Sequence, residues 1–253
     1  MNKWEEKMRT LLVALFLLLF FIISFPLFLI EIAIGKWNKK YKVKTSQAIV
    51  VAAFRIILWI SGVKKEVKGL DNIPKGEAVL YVSNHRSYYD ILVGYTSVPT
   101  LTGFVSKKEI EKIPVLRVWM RYLNCLFLDR ENVREGLKTI LKGIELIEEG
   151  YSIFIAPEGT RNQEKEMLPF KEGSFKMAEK TGCAIIPVAI SNTDSAFERQ
   201  APFIKPAHVI IEFAKPIYPN DLDKNTKKFL GAHVQTIIQE MLESNETLIK
   251  IKG

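Results

Sequence analysis

His85 and Asp90 stand with four residues between them in the run Asn84-His85-Arg86-Ser87-Tyr88-Tyr89-Asp90, which directly follows the apolar stretch Val79-Leu80-Tyr81-Val82. An imidazole is the side chain best suited to take up a proton near neutral pH. A carboxylate five positions on can reach back to it if the chain turns between them, fixing the ring tautomer and stabilising the imidazolium. The spacing has a second reading. Ser87-x-x-Asp90 also has the form of a capping box that starts a helix, with His85 as a turn residue. Residue types alone leave both open.

Three other groups also sit at predicted strand exits. In Phe154-Ile155-Ala156-Pro157-Glu158-Gly159-Thr160-Arg161, Pro157, Glu158 and Gly159 suit the second to fourth positions of a type I turn. Gly159 lets backbone approach a ligand closely, and Arg161 can fork two N–H bonds onto a phosphate. The bland reading is a plain turn, with Thr160-x-x-Gln163 capping the next segment. Phe127-Leu128-Asp129-Arg130 puts a cation at a strand tip. Ser106-Lys107-Lys108-Glu109 has capping-box form, with two lysines opposing the dipole of the helix they would open, as though held for a ligand. For these last two, surface charge is the alternative.

Positioning these groups calls for an alternation of strands and helices. Strands are expected at Val79–Val82, Thr102–Val105, Cys125–Leu128, Ser152–Ala156, Ala184–Ile190 and Val209–Phe213. Helices are expected over 107–123 with a break at Pro114, over 132–149, over 172–180 and from about Thr226 to Glu243. Lys64 to Lys75 reads as a linker or an edge region. This order predicts an α/β fold, a layered and largely parallel sheet with flanking helices, and such sheets place their sites at strand ends.

The chain of 253 residues carries a net charge of +8, with 48% apolar and 25% charged residues. Such a composition excludes a disordered or low-complexity chain. The excess charge is uneven: residues 1–63 hold nine basic and three acidic side chains, against 27 and 25 in the rest. Residues 10–30 contain no charge, long enough for a helix matching a bilayer. Pro26 within it would kink such a helix, so that it either spans or re-enters. A cleaved signal peptide ending near Ala33-Ile34-Gly35 is the competitor, but the apolar stretch is longer than a signal core and basic residues come after it. Ala48 to Ile60, interrupted by Arg55, is expected to lie at the interface or against the first helix. Lys36 to Lys44 holds five lysines and no acid, which places this link and the chain beyond it on the cytoplasmic face. The expected division is a two-helix membrane anchor over 1–63 and a catalytic domain over 64–253. Cys125 and Cys183 are expected as buried free thiols of a reducing compartment.

Several chemistries lack their motifs. No G-x-x-x-x-G-K-[ST], G-x-G-x-x-G or G-x-S-x-G is present. His85, His208 and His233 are dispersed and neither cysteine stands at metal spacing. No basic-aromatic array points to nucleic acid.

Taken together, the blocks resemble the glycerolipid acyltransferase family. His85-x-x-x-x-Asp90 is similar to its catalytic motif, Glu158-Gly159-Thr160-Arg161 to its phosphate-binding block, and Phe127-Leu128-Asp129-Arg130 to the block whose arginine contacts glycerol phosphate. Ile186-Pro187-Val188 is similar to its final block, and Phe170-Lys171-Glu172-Gly173-Ser174 lies where a similar stretch is usual. All four blocks occur in order, and the leading helices resemble the two-helix motif of bacterial members. Asn124 departs from the pattern, standing where the second block commonly begins with glycine, which bears on local backbone and acceptor fit. The resemblance implies His85 as base with Asp90 behind it, and Arg130, Arg161 and Lys107 as phosphate cations beside the Glu158-Gly159-Thr160 turn. It implies transfer of a fatty acyl chain from acyl-CoA or acyl-carrier protein to the 2-hydroxyl of 1-acyl-glycerol 3-phosphate (lysophosphatidic acid) at the cell membrane, without metal or other cofactor and without nucleic acid. Glycerol 3-phosphate or another lysophospholipid as acceptor, or hydrolysis in place of transfer, are the alternatives.

Overall fold

A computed structural model describes residues 3–162, 164 and 166–252. Two long helices lead: α1 (Lys3–Trp37), helical through Pro26, and α2 (Lys39–Ser61). Asn38 separates them, its Oδ1 accepting from the Tyr41 N–H at 2.9 Å, a side-chain N-cap. The chain continues as β1 (Lys64–Lys68), β2 (Leu80–Ser83), α3 (Tyr89–Tyr95), β3 (Thr102–Lys107), α4 (Pro114–Tyr122), β4 (Leu126–Leu128), α5 (Val133–Glu148) and β5 (Ser152–Ile155). It ends as α6 (Lys176–Thr181), β6 (Ile185–Ser191), β7 (His208–Phe213), α7 (Lys224–Lys228) and α8 (Leu230–Lys252).

Among the described residues the strands form one seven-stranded sheet, ordered β1-β7-β6-β2-β5-β3-β4. Only β6 and β7 run antiparallel; the other neighbours are parallel. The period-two alternation of β2 divides the core. Tyr81 faces one layer with Phe104, Phe154 and Phe213, while Leu80 and Val82 face the other with Ile153, Met177 and Val234. Rings stack through the first layer, Tyr95 on Phe104 at 4.0 Å and Phe104 on Phe154 at 4.3 Å. A buried side chain of this kind contributes ~1.5–3 kcal/mol.

Helix α2 belongs to that first layer. Val50 and Leu58 are in its core, and Gln47 clamps the start of β3, donating to the Thr100 carbonyl at 2.8 Å and accepting from the Thr102 N–H at 2.9 Å. Helix α1 lies outside α2, yet it touches the domain along its length. Near its start Thr10 Oγ1 accepts from the Ile204 N–H at 2.9 Å, and Arg9 donates to the Ile60 carbonyl at 2.7 Å. Farther on, Phe20 and Phe28 pack on Trp119, whose indole N–H donates to Ser24 Oγ at 2.8 Å. The outer face of α1 stays apolar and exposed, with Leu11, Leu18, Ile22, Phe25 and Leu29 turned outward. Ala48–Ile60 thus packs against the first helix, as expected.

Several expectations change. Ser106 does not cap a helix and Lys107 does not open one: both continue β3, paired with Phe127 and Leu128 of β4. The ladder outcompetes the local cap, a 3-10 turn over Lys108–Lys112 comes next, and the helix starts at Pro114, where a fixed φ suits the first turn. Of Lys64–Lys75, the first five residues are the edge strand β1, paired with β7. The helix expected over 172–180 begins as a 3-10 turn, Glu172–Phe175. The last helix runs to Lys252 after a break at Phe229. Gln163, offered as a partner to Thr160, lies outside the described residues. Cys125 is buried and Cys183 partly so, both as free thiols.

Candidate active site

Because β6, β2, β5, β3 and β4 run parallel, their C-terminal ends reach one edge of the sheet. His85 follows β2, Glu158 and Arg161 follow β5, Lys107 ends β3, and Arg130 follows β4. The exit of β2 is pinned first. Asn84, fully buried, donates to the Ile190 carbonyl and accepts from its N–H, both at 2.9 Å. This side-chain pair imitates a strand partner where the β2 ladder ends.

The chain then turns back on Asp90. His85 Nδ1 lies 2.9 Å from Asp90 Oδ2, the same oxygen accepts the N–H groups of Arg86 at 2.7 Å and Ser87 at 2.8 Å, and Thr193 Oγ1 donates to Oδ1. Asp90 is buried, while the His85 side chain keeps 23% of its surface. With Nδ1 held by the carboxylate, Nε2 is the nitrogen left to meet a substrate. The cap is real as well: Ser87 Oγ accepts the Tyr89 N–H at 2.9 Å. Cap and histidine–carboxylate pair are therefore one structure, and the helix start aims the carboxylate.

The exit of β5 makes the expected turn, with the Gly159 N–H donating to the Ala156 carbonyl at 3.1 Å. Gly159 has φ 78°, a conformation open to glycine at little cost. Glu158 points inward, accepting the His85 N–H at 2.8 Å and the Leu168 N–H at 3.0 Å. Burial pushes its carboxyl up from the usual range, opposed by the Leu168 and His85 N–H groups, the Asn162 side chain and the charge of His85. Asn162 closes the joint by donating its N–H to the His85 carbonyl at 2.8 Å. Glu158 thus organises the loop. Thr160 is exposed at the tip. Arg161 lies 3.6 Å over the Tyr88 ring and reaches Glu198 Oε1 at 3.4 Å.

The other two cations stand farther along the edge. With strands ~4.8 Å apart, Lys107 is ~10 Å and Arg130 ~14 Å across the sheet from the exit of β2. Both are exposed. Asp129 holds the turn beneath Arg130 by accepting the N–H groups of Glu131 and Asn132, each at 3.0 Å, and it pairs with Lys108 at 3.1 Å. The site thus joins His85, Asp90 and Glu158 directly, brings in Arg161 through Tyr88 and Glu198, and sets Lys107 and Arg130 at the rim of the same edge.

Four residues escaped the sequence reading. Asn84 was visible beside His85 as a buried-type amide at a strand end. Thr193 and Glu198 come from more than a hundred residues downstream, and no local signal marks them. Tyr88 lies inside the motif, and nothing in its spacing marks it as the ring beneath Arg161. At the second block, Asn124 has φ 55°. Asparagine enters the left-handed region more readily than other side chains, so it supplies the geometry a glycine would. Its carbonyl would lie 2.2 Å from a Cβ on Gly103.

An α/β sheet whose strand ends gather a histidine–carboxylate pair and cations suited to phosphate has the layout of an acyl-transferring enzyme. Residues 64–191, from β1 through β6, match the family model Acyltransferase, and the chain belongs to that family. A 1-acyl-sn-glycerol-3-phosphate acyltransferase of Borreliella burgdorferi is 32% identical over 193 residues, 76% of this chain and 77% of that protein. A protein of the same name from Saccharomyces cerevisiae is 28% identical over 194 residues, covering 76% of this chain and 63% of its own. The crystal structure of the 1-acyl-sn-glycerophosphate (LPA) acyltransferase PlsC from Thermotoga maritima superposes with a TM-score of 0.80 at 25% identity, covering 97% of this chain and 98% of that one.

Proposed function

We propose that the protein transfers a fatty acyl chain from a thioester, acyl-CoA or acyl-carrier protein, to the 2-hydroxyl of 1-acylglycerol 3-phosphate, yielding phosphatidic acid for phospholipid synthesis. The observation that carries this reading is the 2.9 Å contact of His85 Nδ1 with a buried Asp90. His85 Nε2 accepts the hydroxyl proton as the oxygen forms its bond to the thioester carbonyl carbon. The C–S bond then breaks, and the departing sulfur takes the proton from Nε2. Asp90 steadies the imidazolium between these steps, and its three other hydrogen bonds keep it aimed. Arg161 holds the acceptor phosphate, joined from the rim by Arg130 and Lys107, while Glu158, Gly159 and Thr160 shape the turn that receives it. The relatives' names supply the acceptor class.

Residues 1–63 serve as the anchor for the catalytic unit 64–253. The hairpin is taken to lie within the cytoplasmic leaflet and not to cross the bilayer. Helix α2 is packed on the sheet layer and α1 touches the domain near both its start and its middle, so a spanning hairpin would drag the polar domain into hydrocarbon.

Purified membranes bearing the protein, given a panel of acyl thioesters with 1-acylglycerol 3-phosphate, glycerol 3-phosphate or other lysophospholipids, test the assignment. Transfer to the first acceptor is expected, and its loss in His85→Ala with membrane partitioning intact. Undiminished transfer by that variant overturns the role of His85, and release of free fatty acid without an acceptor overturns transfer.

A further inference from the structure

At the sheet edge opposite His85, where β4 begins, the elbow between α1 and α2 meets the end of α4 around a hollow of about 370 Å³. Lys36, Lys39, Lys42 and Arg121 line it beside Gly35 and Tyr122, with no acidic side chain among the described residues of the wall. We infer that this elbow is a second phosphate site, separate from the catalytic edge, which takes the headgroup of an anionic lipid.

The hollow is built, not merely charged. The Lys42 stem crosses Gly35, where a Cβ would come within 2.7 Å of its Cδ, and its ammonium stops 3.3 Å from the centre of the Tyr122 ring. One cation is thereby fixed in direction. The last turn of α1 and the first turn of α2 both abut the hollow and carry no acid; their dipole ends oppose each other there, so the side-chain cations set the field. Two acids are nearby. Glu111 takes one Arg121 nitrogen at 2.8 Å on the exposed side, which leaves the remaining guanidinium N–H groups for a ligand. Glu31 is buried under the elbow and accepts from Thr45 Oγ1 at 2.9 Å. Four cations against two acids leave the hollow positive. Trp37, 81% exposed and edge-on to Tyr41, stands beside it, an amphipathic ring of the kind found at headgroup depth. This setting favours a lipid phosphate over a free one, and it rests on the leaflet-bound reading of the hairpin.

Native mass spectrometry of the full chain in non-ionic detergent, titrated with dihexanoyl phosphatidate, dihexanoyl phosphatidylcholine or inorganic phosphate, tests the site. Wild type should bind two phosphatidates. Arg161→Ala should lose one, and Lys36→Gln/Lys39→Gln/Arg121→Gln should weaken the other at least tenfold, whereas Lys36→Arg/Lys39→Arg/Arg121→Lys should retain it. A single copy that survives Arg161→Ala and vanishes in the glutamine variant upholds the elbow while removing phosphate binding at the catalytic edge. Phosphatidate undisturbed by millimolar inorganic phosphate identifies the lipid as the source; displacement identifies the free anion. Equal phosphatidate binding in wild type and the glutamine variant, or equal binding of phosphatidylcholine, overturns the proposal.

Discussion

The Arg161 guanidinium lies 3.6 Å over the ring of Tyr88 and shares Glu198 with the loop that carries His85. Glu198 accepts the Ser87 hydroxyl at 2.6 Å and the Tyr88 N–H at 2.8 Å. The proposed phosphate cation and the proposed base are therefore two ends of one hydrogen-bonded unit. An acceptor phosphate that engages Arg161 bears on the geometry of the loop that presents the imidazole.

Tyr88→Leu removes the ring under Arg161 and leaves the backbone donors in place. A cation over an aromatic face is worth ~0.5–2 kcal/mol, so KM for a phosphorylated acceptor should rise about 2- to 30-fold, with a smaller change in kcat. Steady-state kinetics with acceptor and thioester varied separately will show it. An equal rise in the thioester KM would contradict the assignment.

Arg161→Ala should act more strongly on the same constant. A lost charge-assisted hydrogen bond costs ~1.5–3 kcal/mol, so the acceptor KM should rise about 10- to 150-fold while the thioester KM holds. Arg130→Ala, at the rim of the site, should show the same selectivity with a smaller factor.

Asp90→Asn keeps the size of the side chain and removes its charge. Four groups converge on Asp90, the imidazole, two backbone N–H groups and the Thr193 hydroxyl, so the loss of charge falls on the imidazolium. The drop in kcat should be about 10²- to 10⁴-fold, the range supplied by positioned acid–base groups. Near-unchanged turnover in a folded variant would remove Asp90 from the mechanism.

Lys65 gives stability a pH dependence. Burial, with Arg55 adding repulsion, lowers its pKa to about 8, and its ammonium donates to the Thr96 carbonyl, the Thr96 hydroxyl and the Ser97 hydroxyl. Between about pH 8 and the usual lysine range the unfolded chain holds a proton that the folded chain has released. Stability from this group therefore rises with pH across that window and is flat below it. Denaturant titrations of wild type and Lys65→Met from pH 7 to 10.5 should show the wild type gaining on the variant only above pH 8.

At Asn124 the backbone sets the rule. Asn124→Gly should be tolerated, while Asn124→Val should destabilise by ~1–2 kcal/mol, the cost of forcing a side chain into the left-handed region. Thermal unfolding of the two variants in one detergent decides it.

The sequence disclosed what is local. The apolar run of β2, the helical pattern of α5 and the turn at Pro157 come from composition, period and turn chemistry, and His85 with Asp90 could be paired because only four residues separate them. Contacts across the sheet were hidden. Thr193 on Asp90 and Glu198 on Ser87 exist because β6 lies beside β2, a neighbour relation that no spacing encodes. Ser106 misled for the opposite reason: its capping pattern was genuine locally, but pairing with β4 supplied backbone partners that a cap could not match.

Where α2 ends, the Ser61 hydroxyl meets the Tyr89 hydroxyl at 2.7 Å in a buried hydrogen bond, and Tyr89 opens α3 immediately before Asp90. The end of the α1–α2 hairpin and the carboxylate behind the imidazole are therefore neighbours in one buried joint. Bilayer thickness or lateral pressure that tilts the hairpin has a lever arm ending one residue from Asp90. With the hairpin in lipid as proposed, the bilayer would be a mechanical setting of the enzyme, and a change of membrane would alter turnover while His85 and Asp90 stay intact.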